Sequence, residues 1–388
     1  RRMSYKLKDD TREVMLETWK NLYAKNGIRR CSSCLLPETT PYIAYDARGV
    51  CNYCKRYLKA SVKGEKELEK IIAPFRNSNA KNNCIVALSG GRDSSFALHY
   101  VKRVLHLNPL AYTYDWGMAT DIARRNQVKM CSALGIDRIV IKADVNKKRR
   151  NIRRNVEAWL KSPELGLVPI FMSGDKQAIY YARRVKRQAH IKLMFHGLGN
   201  TFEDSLFKTG FSNVTLESPM IYCDISLRNK VKLGLYYAQR FVQNPGFIHS
   251  ALIDTFLGYL SLFFLKRDYY DIFLYHFIKW DEQAITKTLI EEYAWEVPTD
   301  TCLTWRIDDG TSAFYNYIYM AVAGFTENDT FRSCQVREGL LSREQALKIT
   351  ENENKPRIAT LEWYARTVGF DCDKTIRIIN RMPKLYKI

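Results

Sequence analysis

IVALSGGRDSSFALHYV, residues 85–101, sets four apolar residues ahead of two glycines, an aspartate and three serines, and follows them with a helical pattern. Ile85–Leu88 reads as a buried strand and Phe96–Val101 as a helix, which makes Ser89–Ser95 the turn between them. At the carboxyl end of a strand in an open sheet such a turn lies where ligands bind, and the amides opening the next helix point outward at them. Gly90 and Gly91 allow a tight turn with bare amides near an anion, while Ser89, Ser94 and Ser95 add hydroxyl donors. Asp93 beside a phosphate is chemically sensible in two roles, as a Mg2+ ligand or as a cap of the helix. The chain has no Gly-Lys dipeptide, which excludes the Walker A loop, and Gly197-Leu198-Gly199 lacks the third glycine of a dinucleotide fingerprint.

Outward from this stretch, strand-like runs at Leu110–Tyr114, Arg138–Ile141 and Leu193–His196 alternate with helical patterns at Ala119–Leu134 and Gly174–Ala189. That alternation predicts an α/β fold, a parallel sheet with helices on both faces. Four divisions follow. Residues 1–76 hold a leading helix (3–28), a cysteine-bearing element (29–58) and a linking helix (Glu65–Phe75). Residues 77–226 hold the sheet, 227–290 form a helical insertion, and 291–388 are a helical region that completes the active site.

Four of the ten cysteines form Cys31-x2-Cys34-x16-Cys51-x2-Cys54 and the rest are scattered singly. Two such pairs bring four thiolates onto one Zn2+, and a fully thiolate-ligated metal has no open position for catalysis, so the predicted zinc is structural. A formal charge of +20 over 388 residues implies an anionic partner without naming it. The basic stretch Lys142–Lys192 is the candidate for a polyanion contact, or else a solvated helix face. No leader or membrane-spanning run is apparent, which makes the cytoplasm the expected compartment. The apolar region Phe247–Trp280 is broken by Asp254, Lys266, Arg267, Asp268 and Asp271, as buried helices would be.

Three further segments are candidates for the site. Tyr112-Thr113-Tyr114-Asp115-Trp116 closes the second strand, at the edge where open sheets receive ligands, although core packing explains it equally. His196-Gly197-Leu198-Gly199-Asn200 closes the fourth strand with glycines that admit ribose or phosphate, or that form a simple turn. Thr299–Thr311, with Arg306, Asp308 and Asp309, is polar although flanked by helices, and is expensive to bury without a ligand.

Ser-Gly-Gly-x-Asp-Ser resembles the pyrophosphate loop, or PP-loop, of the ATP pyrophosphatases. A closer resemblance rests on Cys31-x2-Cys34-x2-Pro37-x-Thr39-x-Pro41, on Tyr45-Asp46-x2-Gly49-Val50-Cys51-Asn52-Tyr53-Cys54, on the loop about 35 residues later and on the downstream Thr299–Thr311 segment. Together these are similar to the N-acetyl sugar amidotransferase family of bacterial surface polysaccharide biosynthesis, over about residues 28–350. The resemblance implies a PP-loop domain in residues 77–226. It implies an ATP-dependent amidotransferase that turns the acetamido group of a nucleotide-activated N-acetyl sugar into an acetamidino group, in routes such as O-antigen lipopolysaccharide synthesis. By the same resemblance Ser89, Gly90, Gly91, Asp93, Ser94 and Ser95 hold pyrophosphate and Mg2+, and Arg92, at the variable position, receives no role. Thr113, Tyr114, Asp115, Gly197, Gly199 and Asn200 are the expected remainder of the ATP site, and Asp93, Ser89, Arg306, Asp308 and Asp309 the expected catalytic set. Neither an N-terminal cysteine nor a Gly-x-Cys-x-Gly elbow is present, so ammonia is expected from a separate glutaminase subunit with a channel-forming, synthase-like partner. No nucleic-acid partner is expected. The alternative is a thiolase-like tRNA-modifying PP-loop enzyme, favoured by charge and zinc but lacking clustered cysteines for sulfur transfer.

Overall fold

The apolar run ahead of the glycines forms β1, Cys84–Ala87, whose first three residues are wholly buried. Consecutive burial means that both faces of the strand are covered, as in parallel sheets. On one face Val86 belongs to a buried apolar cluster with Ala97, Leu98 and Met130, and on the other Ile85 belongs to one with Ala182, Val185 and Met194. The computed structural model describes residues 4–24, 27–76, 81–172, 174–198, 202, 207–214, 226–254, 256 and 270–387.

β2 (Pro109–Asp115), β3 (Arg138–Lys142), β4 (Leu193–His196) and β5 (Asp271–Phe273) complete a parallel sheet in the order β3-β2-β1-β4-β5. Chain progression runs from β1 to one edge and then from β4 to the other, which places a topological switch point between β1 and β4 and opens a crevice at their carboxyl ends. The helix Asp121–Leu134 crosses from β2 to β3, capped by Thr120 and closed by Gly135 in the left-handed conformation. The helix Gln177–Gln188 covers the face of Ile85.

Four of the five strands and the helices between them match the sequence pattern. The stretch 227–290 does not: expected to be helical throughout, it supplies β5 as well as the helices Leu227–Gln243 and Glu282–Tyr293. Three residues are too few to show a period of two, and Asp271, which Lys186 meets at 2.7 Å, hides the apolar signature. The helix after the glycines also begins earlier than its apolar pattern, at Arg92, and ends at His99 in a single wide turn, Tyr100–Val104.

The C-terminal third packs around the helix Thr311–Ala323, nearly all of whose side chains are buried; Phe314 lies against Phe171, Tyr364 and Phe370. Next comes Glu327–Glu338, whose first nine residues are all buried although most are polar. Among the described residues no helix is long and apolar enough to cross a membrane.

Helix Glu327–Glu338 fastens the cysteine element. Asp329 Oδ1 accepts from Arg30 at 2.6 Å, Asp329 Oδ2 accepts from Thr326 N and Asn354 Nδ2, and Ser333 Oγ accepts from Leu35 N at 3.1 Å. Replacing one partner of a buried ion pair leaves the other charge uncompensated. Asp329→Ala is therefore expected to lower stability by about 3–5 kcal/mol, read as a fall in the denaturant midpoint; a loss under 1 kcal/mol would show that Arg30 and Asp329 do not hold the element.

Candidate functional site

The turn Leu88–Gly91 leaves β1 at the switch point, and three glycines set how closely its surroundings approach. At Gly90 φ is +87°, and a Cβ there would lie 2.2 Å from the carbonyl oxygen of Ala123. A Cβ on Gly91 would meet the Asp308 carboxylate at 2.9–3.1 Å. One on Gly197, just past β4, would meet Asp93 O at 2.6 Å and Ser94 Cα at 2.7 Å. The loop is thus wedged between the helix Asp121–Leu134, the Thr299–Thr311 segment and the end of β4.

Inside the loop, Ser94 Oγ lies 2.8 Å from Ser89 Oγ and accepts from Ser89 N, while Ser89 Oγ accepts from Gly91 N. Gln127 Nε2 donates to Ser89 O at 2.7 Å. Ser95 N donates to Gly91 O at 3.1 Å, the first intrahelical bond, so the amides of Arg92, Asp93 and Ser94 open the helix with no carbonyl four residues back. These amides and the positive end of the helix dipole form an anion cradle. Ser95 Oγ, fully buried, has no hydrogen-bond partner.

Asp93 Oδ1 accepts from Arg92 Nε at 2.9 Å and from Trp280 Nε1 at 3.2 Å, and Tyr275 OH donates to Asp93 O. The Arg92 side chain is wholly buried. Its Nη1 donates to Glu282 Oε1 (2.6 Å) and Thr304 Oγ1 (2.8 Å), and its guanidinium lies 4.9 Å from the centre of the Trp280 ring. Burial pushes the Glu282 carboxyl up, but the Arg92 and Arg332 guanidiniums more than offset it and hold it down at about 2. The residue left without a role by the sequence is therefore the clamp of the aspartate. Its partners lie 190 and 212 residues away, and no local pattern announces them.

The Thr299–Thr311 segment comes alongside the loop as a strap. Ala119 and Asp309 form an antiparallel bridge, Thr120 N donates to Asp308 O, Thr120 Oγ1 to Ile307 O and Gly310 N to Met118 O. This brings the Asp308 carboxylate against Gly91. Asp309 Oδ1 accepts from Thr311 N at 2.9 Å. Burial, joined by the charges of Asp308 and Asp175, pushes the Asp309 carboxyl up to about 7.

Ser89, Gly90, Gly91, Asp93, Ser94, Ser95, Gly197 and Asp308 are thus gathered at one place. Other expected residues have different engagements. Arg306, held at φ +54°, covers Trp305 and sets its Nε 3.9 Å from Glu327 Oε1, so its charge is directed to the buried helix Glu327–Glu338. Thr113 Oγ1 donates to Leu88 O, which ties β2 to the root of the loop. Tyr114 stacks on Tyr181 and donates to Gln177, and Asp115 accepts from Gly117 N with Arg124 3.3 Å away. Gly199 and Asn200 lie outside the described residues. A cavity of about 630 Å³ is lined by Glu282, Cys302, Thr304, Arg332 and Glu353 among others, so it touches the far end of the Arg92 clamp and none of the loop.

At the cysteine element the four Sγ atoms lie within 4.8 Å of one another, with Cys31–Cys54 at 3.9 Å and Cys34–Cys51 at 3.8 Å. A tetrahedron with Zn–S bonds of about 2.3 Å has edges of about 3.8 Å, so the donor set fits a metal such as zinc. Backbone amides of Ser33, Cys34 and Cys51 point at Cys31 Sγ, and Arg337 donates to both Cys34 Sγ and Cys54 Sγ at 3.4 Å. With the Cys54 amide donating to Cys51 Sγ as well, these hydrogen bonds spread over the sulfurs the negative charge of a metal–thiolate centre.

No model of a protein family matches this chain. A protein of Methanocaldococcus jannaschii, described as uncharacterized, is 30% identical over 119 residues, which is 30% of this chain and 43% of that relative. The match spans less than half of the relative.

Two measurements test the site. Elemental analysis should find one zinc per chain, and Cys51→Ser should lose the metal together with solubility, since metal affinity at such sites is folding free energy of about 10 kcal/mol or more. A soluble, metal-free wild-type protein would dispose of the zinc. Asp309 is the pH test. Its folded pKa of about 7 lies above the ordinary carboxyl value, so its contribution to stability is complete below about pH 4 and is lost as pH rises through 7. The melting temperature of Asp309→Asn relative to wild type should consequently climb between pH 5 and pH 8, whereas a difference independent of pH would place Asp309 in contact with water.

Proposed function

We propose that the chain is a PP-loop ATP pyrophosphatase working as an amidotransferase on a nucleotide-activated N-acetyl sugar, in bacterial surface polysaccharide synthesis such as that of O-antigen. The observation that carries the reading is the loop itself. An Asp-bearing glycine–serine turn stands at the switch point of a parallel sheet, at the N-terminus of the helix that follows, and its carboxylate is oriented by Arg92 and Trp280.

The amide oxygen of the acetamido group attacks the α-phosphorus of ATP, and the bond to the β-phosphate breaks with pyrophosphate as leaving group. Ammonia then adds to the activated imidate carbon, AMP departs with the former amide oxygen, and loss of a proton leaves the amidine. The amides of Arg92, Asp93 and Ser94, with the Ser89, Ser94 and Ser95 hydroxyls, receive the leaving pyrophosphate. Asp93 would hold Mg2+, which neutralises charge on that leaving group. Arg92 and Trp280 fix the orientation of its carboxylate. Asp308 and Asp309 border the loop on the strap, and Asp309, titrating near neutrality, is suited to take up the proton released when ammonia adds. Gly197 lets the end of β4 pack directly on the loop at Asp93 and Ser94, and Thr113, Tyr114 and Asp115 border the expected adenine side at the end of β2. Arg306 acts at one remove, by neutralising Glu327 beneath the strap.

Ammonia comes from a separate glutaminase subunit joined through a channel-forming, synthase-like partner, because no cysteine of this chain stands on a Gly-x-Cys-x-Gly elbow. Zinc in the cysteine element is structural under this reading, its four positions filled by thiolates.

The expected outcome is that protein, ATP, Mg2+ and ammonium convert an N-acetylated nucleotide sugar to a product lighter by about one mass unit, releasing AMP and pyrophosphate, with glutamine inactive unless a glutaminase is added. Asp93→Asn should keep the fold and lower turnover by about 10²-fold or more. ADP and orthophosphate as products would refute a PP-loop reaction. ATP turnover that responds to tRNA and ignores every nucleotide sugar would replace the amidotransferase by the thiolase-like alternative.

A further inference from the structure

Two groups of side chains lie away from the loop and its clamp: exposed basic residues of the stretch 142–192, and exposed apolar residues that follow Phe247, ahead of the Tyr275 and Trp280 that hold Asp93. The structure brings parts of both onto one surface. The helix Leu227–Gln243 buries Asn229, Leu233 and Tyr236 on one side. On another, at helical spacing, it exposes Leu227, Val231, Leu235, Ala238 and Val242; the four larger side chains are 73%, 54%, 66% and 77% exposed. Apolar exposure continues past its end at Ile248, Ile253 and Phe256, all more than half exposed. A buried helix face is ordinary. An apolar stripe turned to water beside it demands an occupant.

The charges around the stripe say which. The sequence from Ser226 to Ile253 contains no Asp or Glu, and Asp254 is buried against Lys148 at 2.8 Å. Arg228 and Lys232 are exposed beside the stripe. Just past its far end Asn244 Nδ2 donates to Ala158 O and His249 Nε2 bonds Asn155 Oδ1, so the segment that follows the stripe packs on the helix Val145–Trp159. That helix exposes Lys147, Arg150 and Arg154 along one face, with Lys161 just beyond. The acids nearby are already matched, Glu157 by Arg153 and Glu164 by Arg240.

We infer that this surface docks peripherally on an anionic lipid bilayer, with the stripe of helix Leu227–Gln243 at the acyl boundary and the basic face of helix Val145–Trp159 among the headgroups. An apolar face bordered by Lys and Arg, its neighbouring Glu157 and Glu164 ion-paired, is the signature of an interfacial helix, whereas protein–protein interfaces are depleted in lysine. The inference is independent of the reaction proposed above, since the surface shares no residue with the loop or the strap.

The full-length protein should co-sediment with vesicles of phosphatidylcholine containing one-third phosphatidylglycerol at physiological salt, and not with phosphatidylcholine alone. Arg150→Gln and Arg154→Gln should each weaken partition roughly fivefold. The double variant Leu235→Gln/Val242→Gln should weaken it roughly tenfold or more with an unchanged circular dichroism spectrum, both side chains being exposed. Lys374→Gln, on another helix, should change nothing. Failure to bind anionic vesicles overturns the inference. So does binding that ignores the stripe substitutions, or a double variant whose effect is to dissociate a dimer in sedimentation velocity, which would make the stripe an interface between proteins.

Discussion

Burying Arg332 governs the rest of this structure. Its guanidinium sits inside the C-terminal third with Glu353, Gln335 and Glu282 as partners, and burial of a cation at that depth is tolerable only where carboxylates surround it. Glu282 is therefore fixed by a need that has nothing to do with ligand binding. Being fixed, it offers its Oε1 to Arg92, and Arg92 in turn holds Asp93. Charge alternates along the whole line from Glu353 to Asp93, so each member holds its neighbours in place.

The same helix, Glu327–Glu338, sends side chains in three more directions. Asp329 holds Arg30 ahead of the cysteines, Arg337 reaches Cys34 and Cys54, and Glu327 accepts from Lys208 and Tyr315 while facing Arg306. Burial raises the Glu327 carboxyl, yet Lys208 and Arg306 bring it down to about 2, so it is an anion at any physiological pH. One rigid element thereby fixes the cysteine centre, the strap and the glycine loop relative to one another. This explains why so polar a helix is buried at all: its side chains are connectors, each satisfied by a different part of the chain.

What the sequence discloses and what it withholds follow the range of the forces involved. The paired cysteines, the turn after Leu88, four strands and the crossover helices are set by neighbours in the chain, and local spacing exposes them. Arg92 is a different case, because its role exists only through Glu282 and Thr304. Helix Glu327–Glu338 defeats periodicity from the other side, since that method equates burial with apolarity, and ENDTFRSCQ reads as a surface. Arg306 looked catalytic for its company with Asp308 and Asp309, but its left-handed backbone turns it from the loop toward Glu327. Asp308 is brought against Gly91 by the strap, through backbone bonds that local spacing does not announce.

The charge line from Glu353 to Asp93 also has a meaning in time. On the ribosome the glycine loop emerges early, yet Glu282 follows Arg92 by 190 residues and Arg332 follows Glu282 by 50. At about 5–20 residues per second, Arg92 and Asp93 spend on the order of ten seconds or more without the carboxylate that organises them. During that interval the loop at the switch point has no settled anchor. Its order is thus conferred by residues of the C-terminal third, and a polypeptide broken off before those helices would have the motif without the clamp that holds Asp93.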